Sequence, residues 1–172
     1  MYRTILVPVD GSPAATAGLD EAIRIARHVG ARLHLMNIVD DEAFPDTDFG
    51  SDSLASAKEV QSVFLEGASN ILRQAQARAE EAGVIAATAL VRSGAHDLHS
   101  LVAAQSEQSG ADLIVVGTHG HRSLSRVFMS NHDGHLLNVV KVPVLLVRSS
   151  DIGPDLSVVE ISADEELFQP SR

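Results

Sequence analysis

The chain contains no cysteine, which excludes disulfides, thiol catalysis and thiolate-held metals and makes the cytoplasm the simplest compartment to expect. Positive charge is also scarce, since 13 Lys and Arg residues stand against 23 acidic ones and the formal net charge is −10. A chain of this charge is repelled at long range by nucleic acids and by anionic membrane surfaces. We therefore expect neither as a general partner.

Long apolar runs are missing as well, because no stretch approaches the ~20 residues of a membrane-spanning helix. The opening segment MYRTILVPVD holds a short apolar stretch broken by Pro8, which is too short for a signal peptide. Apolar residues nevertheless make up 45% of the chain, enough for the core of one domain. We predict a domain over residues 1–148 and an acidic extension over residues 149–172.

Short apolar runs of strand length alternate with segments of helical spacing. The runs are residues 3–10, 31–40, 84–93, 111–118 and 142–149. Several are nearly continuous, as in a parallel sheet buried on both faces. Ser12, Pro13 and Gly30 predict the start and end of the first helix. An apolar stripe through Phe64 predicts a second helix that stops at Gly83, and further helices are expected from Ala95 to about Ser109 and from Asn131 to about Val140. The pattern predicts a doubly wound, Rossmann-like α/β domain.

In such a fold, ligands bind beyond the carboxyl ends of the strands, where the strand order reverses. Gly117 and Gly120 follow the fourth run and allow backbone N–H groups to approach an anion, although ordinary turn glycines explain the pair equally well. Asp10 ends the first run, where a carboxylate can accept from a ribose hydroxyl or help to hold a metal. The phosphate-binding patterns G-x-x-x-x-G-K-[ST] and G-x-G-x-x-G are absent, and so is the hydrolase pattern G-x-S-x-G.

Five segments taken in order, ILVPVDGS, LHLMNIVD, DLIVVGTHG, SLSRVFM and VPVLLV, resemble the universal stress protein family over residues 3–148. ATP-binding members of that family carry Gly, two residues, Gly, nine residues, then Gly and Ser or Thr. Gly117, Gly120 and the following nine residues fit this pattern. Ser130 stands where glycine is expected, and Asn131 stands where the hydroxyl residue is expected.

The resemblance implies a regulatory module of the stress response that binds ATP or AMP, and Mg²⁺ is a candidate companion of ATP. It also implies a five-stranded parallel sheet in the order 3-2-1-4-5, with helices on both faces, and a homodimer joined through the last strand. The implied site residues are Pro8, Val9, Asp10, Ile38, Gly117, His119, Gly120, Ser130 and Asn131. The base is expected near Val9 and Ile38, the ribose near Asp10, and the phosphates near the backbone of residues 117–120.

The departures at residues 130 and 131 leave alternatives open. Ser130 costs backbone strain only if its position needs a positive φ, whereas Asn131 is a favourable helix N-cap that can also donate to phosphate. The alternatives are a dimeric interaction protein with a degenerate pocket and a slow ATPase, since the assigned residues include no lysine to neutralise charge. Histidine pairs such as His96 and His99 suggest a metal, but they match no recognised zinc pattern.

Overall fold

The computed structural model describes residues 1–39, 53–94, 96–118 and 136–149. The strands are β1 (Thr4–Pro8), β2 (Arg32–Val39), β3 (Ala86–Arg92), β4 (Leu113–Thr118) and β5 (Val144–Arg148). The helices are α1 (Pro13–Val29), α2 (Ser53–Glu81), α3 (Leu98–Ser109) and α4 (Leu136–Val139). The five strands form one parallel sheet in the order β3-β2-β1-β4-β5, which confirms the predicted fold.

Two apolar cores lie on opposite faces of the sheet. The core beneath α1 and α2 contains Leu19 and Leu72 together with Leu35 of β2, and the core beneath α3 and α4 contains Val102, Leu136 and other side chains. The central strands β1 and β4 are buried along their whole length, so they contribute to both cores. Their nearly continuous apolar sequences follow from this two-sided burial.

Helix α1 begins and ends where the sequence predicts. The Ser12 side chain accepts a hydrogen bond from the Ala15 amide at 3.1 Å, and Pro13 occupies the first turn. Gly30 ends the helix with a left-handed backbone, φ 71°. Gly83, with φ 77°, follows the end of α2 and also confirms the prediction.

Two helix predictions need correction. Helix α3 begins at Leu98 rather than Ala95, because the Asp97 carboxylate accepts from the Ser100 amide at 2.9 Å and caps the helix there. Phe64 was expected on the buried stripe of α2, but it is 53% exposed. The 29 residues of α2 span about 43 Å, much more than an eight-residue strand of about 26 Å, so its first half has little sheet to cover.

The remaining expectations fall on parts of the chain that the structure does not describe. Only residues 136–139 of the fourth helix are described as helical, and residues 131–135 lie outside the described ranges. The acidic segment 40–52 and the extension after Ser149 lie outside them too. Within the described ranges, no helix combines the length and the apolar character that crossing a membrane requires.

Candidate functional site

The sheet opens between the carboxyl ends of β1 and β4. All five residues of β1 pair in register with β2, from Thr4 to Pro8, whereas the register with β4 stops after Leu6. The strand order also reverses at this point, because β2 and β4 lie on opposite sides of β1. In doubly wound sheets this combination marks the ligand crevice. Asp10 lies two residues after the end of β1, and Gly117 lies near the end of β4, so the two residues come from the two sides of the crevice.

The loop of residues 9–12, which joins β1 to α1, has a defined conformation. The Asp10 Oδ1 atom accepts a hydrogen bond from the Ser12 amide at 2.9 Å, and Gly11 adopts φ 77° between them. Ser12 then caps α1 through its hydroxyl. Among the described residues none donates to Asp10 Oδ2. The half-buried carboxylate is therefore oriented through one oxygen and keeps acceptor capacity on the other.

The apolar residues assigned to the base lie on two different faces of the sheet. Val9 is 3% exposed and belongs to the core beneath α1 and α2. Ile38 packs against the core beneath α3 and α4. Pro8 lies on the same face of the sheet, because its register partner on β2 is Met36, a residue of that core. The structure thus brings Pro8 and Ile38 to the same side of the crevice. It does not bring the side chains of Val9 and Ile38 together.

Asn37 is a residue of this region that sequence reasoning missed. It lies in β2, only 5% exposed, and its Nδ2 atom donates to the Val9 carbonyl oxygen at 2.7 Å. The Val9 amide donates to the Met36 carbonyl at 2.8 Å. Both polar groups of the Val9 backbone are therefore bound to β2. The signal in the sequence was an amide side chain within the otherwise apolar end of LHLMNIVD.

Gly117 lies within β4 rather than in the turn that follows it, and α1 occupies the space beside it. A Cβ atom added to Gly117 would stand 1.7 Å from the Ala14 carbonyl oxygen, and one added to Gly18 would stand 2.7 Å from the Gly117 amide nitrogen. The two glycines allow the backbone of α1 to approach β4 closely. This packing alone accounts for glycine at residue 117.

The rest of the predicted phosphate site, His119, Gly120, Ser130 and Asn131, lies outside the described residues. The structure consequently neither assembles nor separates that part of the site. Among the described residues, no three His, Asp or Glu side chains lie close enough together to hold a metal ion.

A cleft of about 400 Å³ lies between α1 and α2, on the face away from Ile38. Val9, Leu19 and Ala75 form part of its apolar wall, and Arg78 and Glu81 are among its polar residues. Arg78 is engaged by an ion pair with Asp20 on α1, Nε to Oδ1 2.5 Å, which raises the pKa of its guanidinium. This pair is exposed, so it contributes little to stability. The sequence did not predict this cleft.

The fold agrees with the comparison to known proteins. The model of the universal stress protein family matches residues 1–148, and the chain belongs to that family. Universal stress protein MJ0531 of Methanocaldococcus jannaschii is 27% identical over 149 residues, which cover 86% of this chain and 83% of that protein. A crystal structure of a family member from Burkholderia pseudomallei is 32% identical, with a TM-score of 0.64 over 85% of this chain and 96% of the other.

Two more distant structures share the fold and contain nucleotides. One is a universal stress protein in complex with cAMP, 23% identical with a TM-score of 0.57, covering 87% of this chain and 98% of that one. The other is a family protein from Arabidopsis thaliana with AMP bound, 13% identical with a TM-score of 0.62, covering 89% of this chain and 96% of that one. At these identities the likeness concerns the fold.

Proposed function

We propose that this protein is a regulatory module of the stress response that binds an adenine nucleotide, ATP or AMP, in the crevice between β1 and β4. The observation that carries the proposal is the Asp10 carboxylate, oriented by the Ser12 amide at the switch point of the sheet. Family membership supports it, as do the distant relatives that contain cAMP or AMP. The proposal concerns binding, because the assigned residues offer no lysine for rapid phosphoryl transfer.

Asp10 is proposed to bind the ribose. Its Oδ1 atom is already used within the loop, whereas Oδ2 retains lone pairs for the hydroxyl groups of a sugar. Pro8 and Ile38 share the α3 side of the crevice and form the apolar surface against which the base would pack. Val9 contributes through its main chain, since its side chain is buried in the opposite core.

The phosphates are proposed to lie at the end of β4, along the backbone from Gly117 through His119 and Gly120, with Ser130 and Asn131 on the far rim. This part of the proposal comes from the family pattern in the sequence. ATP would bring Mg²⁺ with it, whereas AMP would not require the ion.

We also propose that the protein forms a homodimer through β5. This strand is an edge of the sheet, and Leu146 on it is 50% exposed. Leu137 and Val139 of α4 are exposed nearby in sequence, at 65% and 41%. An apolar edge strand favours pairing with another strand, and a second copy offers an identical one.

Calorimetric titration of the purified full chain with adenosine, AMP and ATP, with and without Mg²⁺, tests the binding proposal. Asp10→Ala removes a charged acceptor, so each of the three ligands should bind about 10-fold to 100-fold more weakly. Asp20→Ala is the matched control, because it removes an exposed carboxylate of α1 outside the crevice and should leave all three affinities unchanged. Failure of the wild-type protein to bind at millimolar nucleotide would reject the proposal in favour of a dimer with a degenerate pocket.

A further inference from the structure

The backbone carbonyl of Val9 lies beyond the residues of β1 that pair with β2 and β4, so it needs a hydrogen-bond partner outside this strand pairing. The register of β1 with β2 ends at Pro8, and the register with β4 ends at Leu6. Val9 comes after both ends, yet it is 3% exposed. A backbone carbonyl buried at such a position needs a hydrogen-bond partner, since water does not reach it.

The Asn37 side chain supplies that partner. Its amide nitrogen lies 2.7 Å from the Val9 oxygen, and the residue is 5% exposed. A buried amide in the middle of a strand is unfavourable unless it is hydrogen-bonded, so an apolar residue would suit β2 better if packing were the only requirement. The contact to Val9 gives a specific reason for the amide. Together with the Val9 amide bond to the Met36 carbonyl at 2.8 Å, it fixes Val9 to β2 at both ends of the residue.

The position of Val9 determines the start of the loop that carries Asp10. Only Asp10 and the left-handed Gly11 separate Val9 from Ser12, whose amide binds the Asp10 carboxylate and whose hydroxyl caps α1. The far end of the loop is held by the start of α1, which packs against Gly117. Holding both ends of so short a loop reduces the number of backbone conformations open to it.

We propose that Asn37 is a positioning residue: its amide holds the Val9 carbonyl so that the Asp10 carboxylate faces a ribose in a preset orientation. The inference rests on the proposed function for the identity of the ligand. Asn37 itself does not contact the nucleotide in this arrangement. Loss of the Asn37 amide therefore weakens binding by loosening the loop, and it does so for every ligand whose ribose contacts Asp10.

The test compares Asn37→Ala with Gln105→Ala. Gln105 is an equally suitable buried amide, whose Nε2 lies 2.8 Å from His34 Nε2 and ties α3 to β2 away from the loop. Amide hydrogen exchange of Ser12 and Ala15 is measured by NMR in both variants, and affinities for adenosine and AMP are measured by calorimetry. Asn37→Ala should speed exchange at both amides by about tenfold and weaken both ligands by at least about fivefold, while Gln105→Ala should change neither. Asn37→Ser, which leaves a smaller polar group, is the second variant if Asn37→Ala does not fold.

The two readouts separate this inference from the proposed function. If the wild-type protein binds neither adenosine nor AMP, the proposed function fails, and the exchange data alone decide the role of Asn37. Unchanged protection of Ser12 and Ala15 in the Asn37 variants would overturn the positioning role. Equal losses of affinity in the Asn37 and Gln105 variants would overturn it as well, because a general loss of stability would then explain both.

Discussion

Replacing Gly117 by alanine should destabilise the fold more than the same replacement at any other glycine that the structure describes. The new Cβ would lie 1.7 Å from the Ala14 carbonyl oxygen, 2.3 Å from the Ala14 carbonyl carbon and 2.9 Å from the Ala15 nitrogen. Ordinary contacts between such atoms need about 3.5 Å, so the first turn of α1 must move away from β4 by about 2 Å. No side-chain rotation can relieve the overlap, because all three atoms belong to the backbone.

The magnitude follows from the cost of overpacking. Extra methyl groups in a packed interior usually cost about 1–3 kcal/mol, and an obstruction made of helix backbone places this one at the upper end, about 3 kcal/mol. For a domain of this size each kcal/mol lowers Tm by about 2–4 °C, so Gly117→Ala should melt about 6–12 °C below the wild type. Urea unfolding followed by circular dichroism gives the free energy, and a thermal scan gives Tm.

Gly67→Ala is the matched control for the same chemical change. Gly67 lies within α2, and a Cβ added there would have no atom within 4 Å. Alanine should stabilise that helix by about 0.5–1 kcal/mol, because glycine loses more backbone freedom on folding. If Gly117→Ala unfolds within about 0.5 kcal/mol of the wild type, the close approach of α1 to β4 is not a feature of the protein.

Three further predictions concern other parts of the molecule. Burial, and secondarily the charge of Arg32, lowers the pKa of His34, so its contribution to stability is complete above about pH 6.5 and declines as the pH falls toward the folded pKa. Between pH 7.5 and pH 5.5, the free energy of unfolding in urea should therefore fall more for the wild type than for His34→Gln. Equal falls would contradict a lowered pKa of His34. Leu146→Asp at the β5 edge should convert the proposed dimer to a monomer in light scattering, whereas Val63→Asp, at a 65% exposed position on α2, should not. Ser130→Gly should tighten ATP binding about fivefold if residue 130 requires a positive φ, and unchanged calorimetric affinity would show that it does not.

The fold was predictable because its signals are local. Ser12, Pro13 and Gly30 specify α1 through interactions within a few residues, and the continuous apolar sequence of β4 reflects burial on both faces. The start of α3 was predicted three residues too early, although a local signal for the observed start was present, since Asp97 is a good N-cap three residues before Ser100. The exposure of Phe64 had none, because it depends on how far α2 extends beyond the sheet.

The candidate site was predictable only in part. Asp10 was identified from its place at the end of a strand, and the structure gives it a defined orientation. The family resemblance placed Val9 near the base, and the structure shows that its side chain faces the core beneath α1 and α2. Only the backbone path after β1 determines this orientation. The contact between Asn37 and Val9 joins residues 28 positions apart, so the chemistry of Asn37 was visible in the sequence whereas its partner was not.

Gly117 shows why a match to a family pattern has to be weighed residue by residue. The contact with Ala14 requires glycine at residue 117, whether or not a phosphate binds beside β4. A chain that had lost nucleotide binding would still keep glycine at this position in order to pack α1. The match at residue 117 is therefore weak support for a phosphate site, and a Gly117 variant that failed to bind ATP would report the displaced helix instead of a lost phosphate contact. Asp10 is more informative, because its Oδ2 atom accepts no hydrogen bond from the described residues, so the contact to Ser12 uses only one of the two carboxylate oxygens.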